Sequence, residues 1–481
     1  MNQDTRRFLI RFAAAAGLAA ICVIGIAVAI FAWPIISGTE TATQTPGAQF
    51  TQAIRATSTP EDKPATSTPE ESAPDGNGNP SGSLPQDVLA EMALIEVQVV
   101  ELRELQLDGD VLRILYSDEQ LRERVIEDFF SDYTPEEAAL DAAILALLGL
   151  VEPDTDLLAV YIELYSEGIA GFYDDETGEM VVVQGADFGG AEHFTYAHEF
   201  VHVLQDQTYD FDDGLGYTHE ACHEDSEFCI ALQALIEGDA SFTQFSWFIE
   251  YATEEQRNDL FEFYSDFESP AFESSPAYMQ QDLLFPYTHG QKFVSYLYNL
   301  GGWTSIDNAY NNPPVSSEQI LHPERYPDDI PVKFDLPDLV PILGLEWELL
   351  EEDTLGEWFT FLILAHGIDE NARLGASRAR DAAEGWGGDR YAVYQDSETQ
   401  DLALVVQHVW DSLEDADEYA AAFQEYANAR FGDAVAIESN QVTWITVDGF
   451  HVLHIEGQHI TWVFAPDEST AAAIWDALQN P

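Results

Sequence analysis

Two histidines stand four positions apart in the stretch "TYAHEFVHVLQDQ", residues 195–207, with a glutamate directly after the first. On a helix, residues four apart lie one above the other on the same face, so His198 and His202 can offer two ring nitrogens to one metal ion. Glu199 points about a quarter turn away, where its carboxylate can reach a water on the metal. The spacing therefore predicts a hydrolytic zinc site.

The alternative is an ordinary pair of surface histidines on an amphipathic helix. The apolar residues of the stretch recur at helical spacing and predict a core face, with both histidines along its edge. That face comprises Phe194, Ala197, Val201 and Leu204. This position favours half-buried histidines over exposed ones.

A catalytic zinc needs a third protein ligand besides the two histidines. Glu237 ends the apolar run "IALQALIEGDA", where an unpaired carboxylate would be costly to bury and a metal would remove that cost. Asp239 follows closely and could orient a ligand imidazole through its second nitrogen. An ordinary solvated aspartate remains an equal alternative for Asp239.

Five motifs occur in order along the chain: "GFYDDETGEMVVV", "AHEFVHVLQDQ", "ALIEGDA", "PYTHGQKFV" and "SSEQILHPERY". Together, over residues 95–345, they resemble the gluzincin zinc metallopeptidases, and more closely a set of secreted or membrane-anchored bacterial members. The resemblance implies one Zn²⁺ held by His198, His202 and Glu237, with Glu199 as general base and with protein or peptide substrates. The insertion "DDGLGYTHEACHEDSEFC" departs from the family pattern, which leaves the shape of the lower cleft wall open.

The same resemblance gives roles to residues outside the metal site. It implies that the strand "EMVVV", residues 179–183, is an edge strand that pairs with substrate, an interior strand being the alternative. It suggests Tyr287, expected at a helix start, as the donor to the oxyanion of the transition state, with His322 as second choice. His289 and Tyr326 lie in the same motifs, and a structural role is the alternative for each.

Cys222 and Cys229 lie close together in the insertion. Their spacing fits no strong structural-zinc pattern, and an oxidising compartment favours a disulfide between them. A second zinc site that also uses His219 and His223 is the alternative.

The N-terminal segments predict an anchor in a membrane. Residues 1–11 are basic and should stay cytoplasmic, whereas residues 12–36 carry no charge and are long enough to cross a bilayer. A cleaved signal peptide is the alternative, but its apolar region is usually shorter and no small-residue cleavage site is apparent. Ile21 before Cys22 argues against lipidation. Residues 37–85 are rich in Ser, Thr, Pro and Gly and predict a flexible stalk.

The chain carries 88 acidic against 18 basic residues, a formal charge of −70. A chain of this charge would repel the phosphate backbone of a nucleic acid, so the composition argues against nucleic-acid binding. A solvated acidic surface, suited to salty or acidic surroundings, accounts for the composition.

The hydrophobic pattern predicts an α+β protein. Residues 86–370 are expected to form a mainly helical zincin-like metallopeptidase domain with a small sheet on its N-terminal side. Within it, helices fill residues 86–165, a hairpin surrounds Gly178, the motif helix spans about Ala191–Gln207, and helices and loops continue to about His366. Residues 385–481 predict a small α+β C-terminal domain.

The function predicted from these features is a membrane-tethered zinc endopeptidase outside the cytoplasm, or a secreted one if the N-terminal segment is cleaved. The alternative is a catalytically silent zincin-fold protein that binds or senses at the surface. The intact Glu199 favours the enzyme, because a silent relative has little reason to keep the base. A structural envelope protein has no motif in its favour.

Overall fold

The computed structural model describes residues 84–480, apart from residues 131–132, 168–170, 176, 184–187 and 439. The predicted cytoplasmic segment, the membrane anchor and the stalk up to residue 83 lie outside the described residues. Within the described part of the chain, no helix combines the length and apolar character needed to span a membrane.

The first part of the described chain is mainly helical and contains one small sheet. Its elements are α1 (Gln86–Arg103), β1 (Leu112–Tyr116), α2 (Asp118–Phe130), α3 (Pro135–Leu148), α4 (Leu157–Ser166), β2 (Gly171–Asp174), β3 (Glu179–Val183), α5 (Gly190–Tyr209), α6 (His219–Glu224), α7 (Ser226–Glu250), α8 (Glu254–Asp266), α9 (Pro270–Ser274), α10 (Ala277–Gly301), α11 (Trp303–Asn311), α12 (Ser317–Leu321) and α13 (Val340–Leu343).

The small sheet has the order β1-β3-β2, so β3 is its central strand. β3 pairs in parallel with β1 and antiparallel with β2, with Tyr173 opposite Met180. The prediction that residues 179–183 form an edge strand is therefore wrong. The prediction fails because β1, which lies in a region predicted to be helical, forms a strand. β1 pairs with the side of β3 that was expected to be free. The β2–β3 hairpin turns at Gly178, whose φ of 67° suits glycine.

α7 and α10 pack with their backbones in close approach at two glycines. A Cβ atom on Gly238 of α7 would collide with the backbone of Gly290 in α10, and a Cβ on Gly290 would collide with the carbonyl of Ala234. Because glycine at both positions has no side chain, the two helices can lie close enough for α10 residues to reach Glu237.

The second part of the chain forms an antiparallel sheet of seven strands in the order β4-β5-β6-β10-β9-β8-β7. Its elements are β4 (Trp347–Asp353), α14 (Gly356–Ala365), α15 (Ala376–Ala383), β5 (Trp386–Asp396), β6 (Leu402–Trp410), α16 (Leu413–Phe431), β7 (Ala436–Ile437), β8 (Gln441–Ile445), β9 (Phe450–Glu456), β10 (His459–Ala465) and α17 (Glu468–Gln479). The α+β class is confirmed, but the expectation of helices and loops up to about His366 is wrong at β4.

Both faces of the large sheet are covered, which explains why its central strands β6 and β10 are mostly apolar on both faces. Leu404 and Val406 of β6 face a core that includes α16, whereas Ala403 and Val405 face a smaller core with α17. The core on the α16 side continues into the helical part through α3 and α7. The helical part and the large sheet therefore share one buried interior.

Candidate metal centre

Two long helices position the central residues of the site. α5 begins where the Gly189 N–H donates to the Glu192 carboxylate at 2.9 Å, and it carries His198, Glu199 and His202. α7 begins at Ser226, capped by Asp225, and carries Glu237 and Asp239 in its middle. The motif helix predicted from about Ala191 to Gln207 is thus confirmed, with slightly wider bounds.

His198, His202 and Glu237 converge on one point in the interior. Glu237 Oε2 lies 3.0 Å from His198 Nε2 and 3.5 Å from His202 Nε2. One ligand atom from each residue lies within 4.8 Å of the other two, so the three residues could hold a metal ion. Their arrangement is consistent with the HExxH…E site of zincin-like proteins. The side chains are at most 1 % exposed, so the expectation of half-buried histidines is wrong.

The donor atoms fit a metal on chemical grounds. His202 Nε2 is buried and has no hydrogen-bond partner among the described residues, although burying a polar nitrogen without a partner is costly. Two imidazole nitrogens and a carboxylate oxygen form a donor set that zinc commonly uses. A metal ion at this point would remove the cost of burying all three.

The charges of the triad compensate one another. Burial alone would raise the pKa of Glu237, but the charges of His202 and His198 and the hydrogen bond from His198 bring it below its usual value. Burial lowers the pKa of His202, and the Glu237 carboxylate outweighs this and raises it to about 9. A proton and a metal ion therefore compete for the same buried nitrogens.

Glu199 lies beside the triad and is held by the small sheet. Its Oε2 accepts the backbone N–H of Tyr173 at 3.1 Å, and the residue is 2 % exposed. Since Tyr173 lies on the edge strand β2, that strand orients the carboxylate next to the metal ligands. The Tyr173 hydroxyl donates to Asp206 at 2.7 Å, which ties the same strand to the end of α5.

Tyr287 lies in the middle of α10 and not at a helix start. The resemblance implied a helix start here, but the helix begins at Ala277 and continues through Pro286. The Tyr287 hydroxyl donates to Glu237 Oε1 at 3.2 Å. The structure thus brings Tyr287 to the triad through Glu237 Oε1, whereas Oε2 makes the contacts with the histidines.

Asp239 does not contact a ligand imidazole directly, so that prediction is wrong. The partner of His202 Nδ1 is Gln205 Oε1, at 2.8 Å, and Gln205 Nε2 in turn donates to Asp239 Oδ2 at 3.1 Å. Asp239 is also bonded by Arg103, whose Nε lies 2.9 Å from Oδ1. Sequence reasoning missed Gln205 and Arg103. The signal for Gln205 was its place three residues after His202, on the same face of the helix.

The other candidates for an oxyanion donor have partners elsewhere. His322 Nε2 lies 2.9 Å from Glu357 Oε1, and the Tyr326 hydroxyl donates to the Asn312 carbonyl at 2.6 Å. The ring of His289 stacks on that of Phe285, with centroids 5.2 Å apart. The contacts described for these residues do not include the triad, and the role of His322 stays a prediction.

Cys222 and Cys229 are joined by a disulfide with a Cα–Cα distance of 5.3 Å. The bond links α6 to the first turn of α7, ahead of Glu237 on the same helix. Both sulfurs are therefore engaged and do not supply ligands to a second zinc ion. The side chains of His219 and His223 are not among those that the structure describes.

A family model described as a domain of unknown function, DUF8575, matches residues 347–475. The match covers the large sheet from β4 onward and does not include the triad. No curated protein and no solved structure matches the chain. Neither the family description nor the other comparisons name an activity.

Proposed function

We propose that this protein is a zinc-dependent peptidase that hydrolyses protein or peptide substrates. The observation that carries the proposal is the buried triad of His198, His202 and Glu237, with the carboxylate of Glu199 near enough to raise the pKa of His202. A purely structural metal site needs no carboxylate next to its ligands, whereas hydrolysis needs a base there. The five ordered motifs that resemble gluzincin peptidases support the same reaction.

Each side chain has a distinct task in this proposal. When bound, zinc would lower the pKa of a coordinated water to about 7 and polarise the substrate carbonyl. Glu199 accepts a proton from the attacking water and later passes it to the leaving amine. The Tyr173 amide restrains one carboxylate oxygen of Glu199, and Tyr287 donates to Glu237 Oε1. Donation to the oxyanion stays a prediction for Tyr287 or His322.

The proposed location is outside the cytoplasm, tethered to a membrane through residues 12–36. The disulfide between Cys222 and Cys229 supports this part of the proposal, because such bonds persist mainly in oxidising compartments. The uncharged length of the N-terminal segment and the basic residues before it support an anchor with the triad on the outer side.

The test is metal analysis combined with hydrolysis of an unstructured protein such as casein. Purified full-length protein in detergent should contain one zinc per chain, lose hydrolysis after treatment with a chelator and regain it when zinc is restored. Glu199→Gln should retain zinc and lose hydrolysis, whereas the control Glu255→Gln, an exposed residue of α8, should behave as the wild type.

Two results would contradict the proposal in different ways. Folded protein without zinc, or with zinc that survives His202→Ala, would remove the metal site. Zinc at one per chain without hydrolysis of unfolded proteins or peptides would instead favour the silent binding or sensing protein.

A further inference from the structure

We propose that Gln205 is a positioning residue for the metal centre, whose side-chain amide determines which nitrogen of His202 carries a proton. The inference rests on the proposed zinc site and adds to it a residue outside the ligand set. Gln205 lies one turn after His202 on α5 and is fully buried. Its Oε1 is 2.8 Å from His202 Nδ1.

The orientation of the amide follows from the groups around its nitrogen. Gln205 Nε2 lies 3.0 Å from the Ile236 carbonyl oxygen and 3.1 Å from Asp239 Oδ2. A backbone carbonyl and a carboxylate can only accept hydrogen bonds, so the group facing them must be the NH₂. The reversed amide would place its oxygen against two other acceptors in a buried site. The oxygen of Gln205 must therefore face His202.

The amide oxygen in turn selects the tautomer of His202. An acceptor at 2.8 Å from Nδ1 requires a proton on that nitrogen, which leaves the lone pair of the neutral ring on Nε2. Nε2 is the atom that lies 3.5 Å from Glu237 Oε2. The lone pair that a metal would need is thus directed toward the other two ligands.

Arg103 at the end of α1 holds the far side of this network. Its Nε lies 2.9 Å and 3.1 Å from the two oxygens of Asp239, and its Nη2 donates to Asp307 at 2.9 Å. The guanidinium also lies 4.7 Å from the centre of the Trp303 ring. A buried carboxylate needs such a partner, because an uncompensated charge in the interior is strongly destabilising. Arg103 therefore holds the Asp239 carboxylate in place beneath Gln205.

Tyr310 provides a matched control within the same network. Its hydroxyl donates to Asp239 Oδ2 at 3.0 Å and lies 2.9 Å from Gln205 Nε2. Tyr310→Phe removes these contacts but leaves Ile236 and Asp239, which suffice to orient the amide. The variant should lose stability without changing the tautomer of His202.

The experiment compares Gln205→Leu with Tyr310→Phe in the full-length protein. The zinc dissociation constant is measured by competition with a chromophoric chelator, and the slowly exchanging Nδ1–H of His202 is followed by NMR of ¹⁵N-histidine-labelled, zinc-loaded protein. Gln205→Leu should weaken zinc binding about 10- to 100-fold and lose the slow exchange of that proton. Tyr310→Phe should keep the proton signal and bind zinc within about threefold of the wild type.

A second pair keeps the test decisive if Gln205→Leu does not fold. Arg103→Lys retains a cation for Asp239 and should bind zinc nearly as the wild type does, whereas Arg103→Met should weaken zinc binding by about tenfold or more. Equal losses in Gln205→Leu and Tyr310→Phe, or in the two Arg103 variants, would show a merely structural network and overturn the inference. Wild-type protein that binds no zinc would overturn the proposed function instead.

Discussion

Removal of the Tyr287 hydroxyl tests how the third ligand is held. The hydroxyl donates to Glu237 Oε1 at 3.2 Å, and the residue is 1 % exposed. Glu237 Oε2 faces both histidines, so Tyr287 holds the opposite oxygen and restricts rotation of the carboxylate. Tyr287→Phe keeps the ring and removes the hydrogen bond to Glu237.

The expected size of the effect follows from the bond. A hydrogen bond to a charged group contributes about 1.5–3 kcal/mol, and the long distance here places it near the lower end. The bond is already present without a metal, so only part of its loss reaches the zinc affinity. We expect the free energy of unfolding without zinc to fall by about 1.5 kcal/mol and the zinc affinity to fall about two- to fivefold. The kcat at saturating zinc should change by less than about threefold.

Three measurements check this prediction: denaturant unfolding of zinc-free protein, chelator competition, and hydrolysis at saturating zinc. Tyr296→Phe is the control, because Tyr296 is a partly buried tyrosine of the same helix without a described hydrogen bond. Loss of an oxyanion donor would instead lower kcat by about 10²- to 10³-fold. An unchanged zinc affinity together with a kcat lowered about 10²- to 10³-fold would refute this reasoning. Tyr287 would then be the oxyanion donor that the resemblance suggests.

Three further predictions follow from the site and the core. Glu199→Gln should bind zinc within a few-fold of the wild type and lose at least about 10²-fold in kcat, since an amide cannot take the proton; residual turnover above a few per cent would assign the base elsewhere. His202→Ala should abolish stoichiometric zinc in elemental analysis, and zinc that stays at one per chain would contradict the ligand assignment. Burial raises the pKa of Asp282 from 3.8 to about 7, against the hydrogen bond from the Trp358 ring. Because the folded pKa is the higher one, stability is fully present below about pH 4 and is lost as the pH rises to about 7. The free energy of unfolding of Asp282→Asn should therefore exceed that of the wild type by about 4 kcal/mol at pH 8 and nearly equal it at pH 4, and parallel pH profiles in denaturant titrations would contradict this.

Local patterns explain which parts of the fold could be predicted. The motif helix has apolar residues at helical spacing, and the hairpin around Gly178 has a turn glycine followed by a β-branched run, so both were visible in the sequence. β4 reads "WELLEED", which has no clear alternation of apolar and polar residues, and β1 has only five residues. Their strand character depends on partners that are distant in the chain. The central place of β3 depended on β1 and could not be predicted without it.

In the metal site, too, residues placed by local spacing could be predicted, whereas residues placed by contacts between helices could not. The ligands His198 and His202 follow from spacing within one helix, and Glu237 follows from an acidic residue in an apolar run. The role of Gln205 depends on the Ile236 carbonyl and Asp239 of another helix. No spacing within one helix reports such a contact. The direct bond predicted for Asp239 failed for the same reason, because an intervening side chain was not visible in the sequence.

The position of Arg103 at the end of α1 bears on release of the protein from its proposed anchor. A protease that cuts before Gln86 would shed a domain in which Arg103 stays covalently attached to the rest of the chain. The loop after α1 offers another place to cut, at the exposed residues Asp108, Gly109 and Asp110. A cut there would leave Asp239 dependent on a detached helix for its counter-charge. The site of shedding would then determine whether the released form is active or becomes inactive as that helix dissociates.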